Sequence, residues 1–140
     1  MSEIWAKGDL ILQPSEMGAN RWYYERLKLG LFPSVALLGA NGQVTAAEGV
    51  LETQYSNSYG VRVVLEEFPD ALPRVFPKGW AVHPNVTHKF NDGSICIMKS
   101  IQWRRNFTVA LVVAKAAIWL GKYEMWKRNG HTWPGLEQRH

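Results

Sequence analysis

Two short polar turns constrain the fold of this chain more than anything else in it. Ala40-Asn41-Gly42 and Ser56-Asn57-Ser58 separate three segments of strand character, Val35 to Leu38, Ala46 to Tyr55 and Tyr59 to Phe68. Strands linked so briefly lie side by side and run antiparallel. A fourth segment, Arg74 to Val82, follows a turn bracketed by Pro69 and Pro73, so the spacing predicts a four-stranded antiparallel meander. Ahead of it, Ser15 to Leu29 reads as a helix. Ser15 serves as cap, Glu16 lies in the first turn, Met17, Trp22, Tyr23 and Leu27 form an irregular apolar stripe, and Gly30 and Pro33 mark its end. Beyond the strands, His83 to Asn106 dissolves into Pro, Asn, His, Gly and Ser, the signature of a long functional loop. A second helix is expected from a cap at Asn106 through Leu111, Ala114, Ile118 and Met125 to a stop at Asn129-Gly130. The expected class is α+β: N-terminal helix, meander, long loop, C-terminal helix.

The 140 residues suffice for one core and not two, and no internal linker or repeat interrupts them, so a single domain over 1–140 is expected, with 132–140 a peripheral tail. Trp133-Pro134 is positioned to pin that tail to the body. Met1 to Asp9 carries Glu3, Lys7 and Asp9 and lacks the apolar run of a secretion signal or anchor. Phe107 to Leu120 is broken by Lys115 and is shorter than the ~20 residues of a bilayer span. A cytoplasmic protein without membrane attachment is the expectation. The formal charge of +4 permits contact with nucleic acid, but the basic residues are scattered and no nucleic-acid motif accompanies them, so no such partner is expected.

Cys96 is the single cysteine, which excludes an internal disulfide and suits a reducing compartment. Flanked by Ile95 and Ile97, it fits a small buried hydrophobe as well as a nucleophile. A thiolate attacks activated acyl carbon readily and leaves readily, so a cysteine can accept an acyl chain and surrender it to an amine. Such attack puts negative charge on the carbonyl oxygen, and Asn85 is the candidate carboxamide donor for it, beside its ordinary role of holding a turn. Gly93 and Ser94 allow tight curvature before the thiol, and Asp92 is read as a turn residue that also stands ready to orient an attacking lysine. His83 braces the loop, and Trp103 is a packing anchor shaping the wall beside the thiol. Lys115, Trp119, Lys122 and Trp126 form one helical stripe, either lysines snorkelling past packed rings or a docking surface. A zinc site of His83, His88, Asp92 and Cys96 lacks four-ligand spacing, and neither a metal nor any other cofactor is expected.

His83-Pro84-Asn85, then Gly93-Ser94-Ile95-Cys96-Ile97, then Trp103 resembles ubiquitin-conjugating enzymes, which carry His-Pro-Asn, a Gly-x-Ile-Cys-Leu segment and a later Trp in that order. The resemblance covers approximately Ser15 to Gly130, with Ile97 in place of the Leu. It implies a UBC-like fold, Cys96 as thioester carrier and Asn85 as oxyanion donor. Two departures stand out: a longer stretch from Asn85 to Cys96, and a shorter C-terminal part with one long helix. That compactness is similar to the prokaryotic branch, including stand-alone members of anti-phage cyclic-oligonucleotide signalling (CBASS) operons. The implied partner is a protein with a glycine-ending C-terminus, either ubiquitin-like or a cGAS-like nucleotidyltransferase, with an activating enzyme as a further possible partner. Two alternatives belong to other classes: a catalytically inactive UBC-like binding module, and a cysteine hydrolase pairing Cys96 with His131. The enzymatic reading requires the sulfur to lie open at a groove with the Asn85 amide close by.

Overall fold

A computed structural model describes residues 10–134. In chain order its elements are α1 (Arg21–Leu29), β1 (Ala36–Ala40), β2 (Gln43–Glu52), β3 (Ser58–Val64), β4 (Arg74–Lys78) and α2 (Val109–Arg128), with short 3-10 turns at Pro14–Glu16 and Ser100–Gln102. The strands form one antiparallel sheet in sequence order, as the turns predict. Asn41 and Gly42 both have positive φ, 57° and 76°, and directly join the paired residues Ala40 and Gln43. That left-handed pair matches the strand twist, which is why Asn-Gly sits there. The second turn spans 53–57, closed by the Thr53 N–H donating to Asn57 O at 2.8 Å. Gly49 is required for a different reason, since a Cβ there would stand 2.3 Å from Ser34 O in the segment entering β1.

Both helices start later than expected. Ser15 lies in the first 3-10 turn, and α1 begins only at Arg21 after Asn20. Its buried face is Arg21, Glu25 and Leu29, whereas Tyr23 and Leu27 point outward. Of the apolar stripe read from the sequence, Tyr23 and Leu27 therefore lie on the outer face and Trp22 is half-buried against Phe68, because a buried ion pair takes the inner face. The Glu25 carboxylate accepts from Arg21 Nε at 3.1 Å and from the Val109 N–H at 2.9 Å. The Arg21 guanidinium in turn donates to Arg105 O and Phe107 O, at 2.5 and 2.9 Å. One charged pair thus ties α1 to the N-terminus of α2, where a carboxylate also suits the helix dipole. Thr108, not Asn106, caps α2: its Oγ1 accepts from the Leu111 N–H at 3.0 Å and donates to Leu10 O at 2.6 Å.

α2 is apolar on nearly every side, with Val109 to Ala114, Ala116, Trp119, Leu120, Tyr123 and Trp126 buried, and so forms the centre of the core. It ends at Asn129 and Gly130, the latter at φ 66°, as the sequence predicts. Glu124, buried near that end, accepts from Asn57 Nδ2 and from Thr53 Oγ1, fastening α2 to the β2–β3 turn. No helix among the described residues is long and apolar enough to cross a membrane. Of the tail, residues 135–140 fall outside the described residues, as does the N-terminal stretch 1–9.

Candidate active site

The loop after β4 is organised by a small hairpin. Phe90 N–H donates to Ser94 O at 2.8 Å and Cys96 N–H to His88 O at 3.1 Å, with Lys89 opposite Ile95. Asp92 and Gly93 turn it: Asp92 Oδ1 accepts from Ser94 N and Oγ at 2.9 and 2.5 Å, and Gly93 adopts φ 89°. These hydrogen bonds, with help from the nearby Arg74 charge, overcome partial burial and hold the Asp92 carboxyl below the usual range. Ile95 N–H then donates to Val75 O at 2.9 Å, which docks the hairpin on β4. Because residues alternate along an extended segment, Ile95 enters the core and Cys96 faces the other way, toward α2.

Cys96 is 5% exposed and borders a small cavity of about 90 Å³. His88, Lys115, Trp119, Lys122 and Trp133 share that cavity. The helical stripe read from the sequence thus supplies three of its residues, while Trp126 packs elsewhere, against His83 and His131. Trp133 stacks on His88 at 4.5 Å and leans on Trp119 at 5.4 Å, so this ring pins the tail to the body over the thiol itself. Burial pushes the Cys96 thiol up to about 11, and the opposing pull of Arg74, the Met98 backbone and Lys99 is smaller. The sulfur is covered, and does not lie open at a groove as the enzymatic reading requires.

The other sequence candidates are not gathered at this cavity. Asn85 is exposed, its N–H donating to His83 Nδ1 at 3.1 Å, and it does not line the space beside Cys96. His83 sits under the C-terminal end of α2: its N–H donates to the Tyr123 hydroxyl at 3.0 Å and its ring contacts Trp126 and His131. Trp103 seats on the other side of the loop, donating from Nε1 to Pro69 O at 2.8 Å and packing on Phe68 and Phe107. It walls a separate groove with Glu67, Asp70 and Arg74, not the space at the thiol. His131 stacks on Trp126 at 3.9 Å and is absent from the Cys96 cavity. Among the described residues, no three His, Cys, Asp or Glu side chains converge as metal ligands.

Two residues at the site escaped the sequence reading. Arg74 opens β4, lays its guanidinium over the Phe90 ring at 3.8 Å and reaches Asp92 at 3.9 Å. Its Nη1 is buried with no hydrogen-bond partner, so a cation is held inside the hairpin within electrostatic range of the thiol. His88, considered only as a zinc ligand, stands across the hairpin from Cys96. The Asp92-Gly93 turn signal pairs 88 with 96 once the hairpin is drawn, and that was the available clue.

Residues 25–140 match the family model described as Type II CBASS E2 protein. No curated protein matches the chain.

Proposed function

We propose a mechanism on one premise: the chain belongs to the Type II CBASS E2 protein family and has an E2-like role in CBASS anti-phage defence. On a UBC-like scaffold, Cys96 takes the C-terminal glycyl group of a partner protein as a thioester and passes it to an acceptor amine. Asn85 donates to the oxyanion, brought to the thiol as the loop and the Trp133 cover rearrange around the incoming tail. The partner is a cGAS-like nucleotidyltransferase or another glycine-ended protein, activated by a separate enzyme, and the chemistry runs in the cytoplasm without nucleic acid or membrane. The supporting observation is the thiol's position: the only cysteine of the chain ends a docked hairpin and borders a cavity, while its neighbours Ile95 and Ile97 belong to the core.

The test is intact-mass analysis of the protein mixed with an activated, glycine-ended partner. A thiol-cleavable adduct is expected, absent in Cys96→Ala and replaced by a slower, thiol-stable ester in Cys96→Ser. An adduct that persists in Cys96→Ala would refute the mechanism.

One observation favours a second reading, the non-catalytic UBC-like binding module: Cys96 is buried and its thiol is raised by that burial. In that case Cys96 resists alkylation until the protein unfolds, whereas a carrier reacts in the native state. The hydrolase reading gains no such support, since His131 is engaged with Trp126 and His83.

A further inference from the structure

We propose that His88 is the base that takes the Cys96 proton, an assignment that rests on the acyl-carrier reading and adds the group it lacks. In the 88–96 hairpin the two residues are direct cross-strand partners, linked by the Cys96 N–H to His88 O bond at 3.1 Å. Side chains opposite one another in an antiparallel pair project to the same face, with Cβ atoms about 5 Å apart. Both here border the same small cavity. His88 is 4% exposed and fixed twice, its carbonyl accepting from Trp119 Nε1 at 2.9 Å and its ring stacked on Trp133.

The remaining charged groups around the thiol do not fill this role. Lys115 and Lys122 face the cavity from α2, and Arg74 and Lys99 act on the sulfur through their charge. Ammonium and guanidinium groups are donors only, while a neutral imidazole has one acceptor nitrogen. A thiol raised by burial is almost wholly protonated at neutral pH, so attack needs a proton acceptor in place. Neither Asn85 nor Asp92 supplies one at the cavity.

With an acyl thioester as donor, the Cys96 sulfur forms a bond to the acyl carbon and its proton passes to the imidazole. The donor's carbon–sulfur bond breaks, and the departing thiolate receives that proton from His88. In the second half the imidazole takes a proton from the acceptor amine as the C–N bond forms and returns it to the leaving Cys96 sulfur. No proton is gained or lost across either half.

The decisive measurement is iodoacetamide alkylation of native protein from pH 5.5 to 10.5, each profile normalised to its own rate at pH 10.5 so that accessibility cancels. Wild type is expected to show an inflection in the histidine range below the alkaline rise. His88→Gln and His88→Asn should lose it, with the normalised rate at pH 7.5 falling at least ~10-fold, and added imidazole should restore reactivity to His88→Ala. A wild-type profile with the alkaline rise alone, or variant profiles superimposable on it, overturns the assignment whether or not a variant folds poorly. This readout needs no acyl partner. Loss of the His88 effect with intact adduct formation therefore rejects the base alone, whereas a native thiol that never reacts rejects the carrier reading beneath it.

Discussion

At the scale of single residues, the chemistry divides between groups that the motif names and groups that the cavity holds. Asn85 belongs to the first kind, being exposed on the His83 brace and away from the thiol. If it reaches the oxyanion during transfer, Asn85→Ala should slow amine transfer by ~100-fold, as loss of one such donor does elsewhere, with thioester formation and melting temperature little changed. Single-turnover chase of a preformed thioester measures this, and an unaltered chase rate removes Asn85 from the site. Glu25 is a structural counterpart. Burial pushes its carboxyl up, against the pull of the Val109 N–H and Arg21. Arg21 is itself lowered, chiefly by its own burial. Glu25→Ala leaves a buried guanidinium uncompensated and the Val109 N–H at the start of α2 without its acceptor, so denaturant unfolding should report a loss of about 3 kcal/mol. Glu25→Gln, which keeps an acceptor for Val109, should lose less.

At the scale of elements, a hairpin, a helix and a tail segment meet at the sulfur. The 88–96 hairpin presents Cys96 to α2 because Ile95 is committed to β4 and the opposite face. α2 supplies the opposite wall through Lys115, Trp119 and Lys122, and Trp133 closes the top. Indole rings bury large apolar areas, so this one contact accounts for much of the cover. Trp133→Ala is expected to raise the native alkylation rate of Cys96 by about tenfold, since the segment after α2 is the least anchored part of the wall. An unchanged rate would assign the cover to α2 and the hairpin alone. Asp92 and Arg74 matter here as a unit: the carboxylate closes the hairpin turn while the cation stacks on Phe90 inside it.

At the scale of the whole molecule, α1 and the β2–β3 turn both hang on α2 through buried polar ties. Glu124 is the clearest of these for pH dependence. Burial works to raise its carboxyl, but Asn57 and Lys127 more than offset it and hold it below the usual range. A depressed carboxyl means that the unfolded chain binds more protons as pH falls, so the contribution is present above the unfolded value near 4 and is lost below it. Between pH 5 and pH 3 wild type should therefore lose more stability than Glu124→Gln, with Glu25 common to both; equal losses would show that Glu124 is not a source of acid sensitivity. The sequence by itself determined the meander, the end of α2 and the Asp92-Gly93 turn, because an Asn-Gly hairpin, a left-handed Gly130 and an Asx turn are local preferences that each few residues satisfy alone. A motif spread over His83 to Trp103 carried the resemblance to ubiquitin-conjugating enzymes, and compactness carried the narrower one to CBASS members, with which the matched family agrees. The sequence misplaced the start and the buried face of α1, where Arg21 and Glu25 find partners more than 80 residues away. Only the tertiary structure decided which side chains surround the thiol. His88, Lys122 and Trp133 come from a hairpin, a helix and a tail, and no local preference records that packing α2 on the sheet brings the three to one cavity.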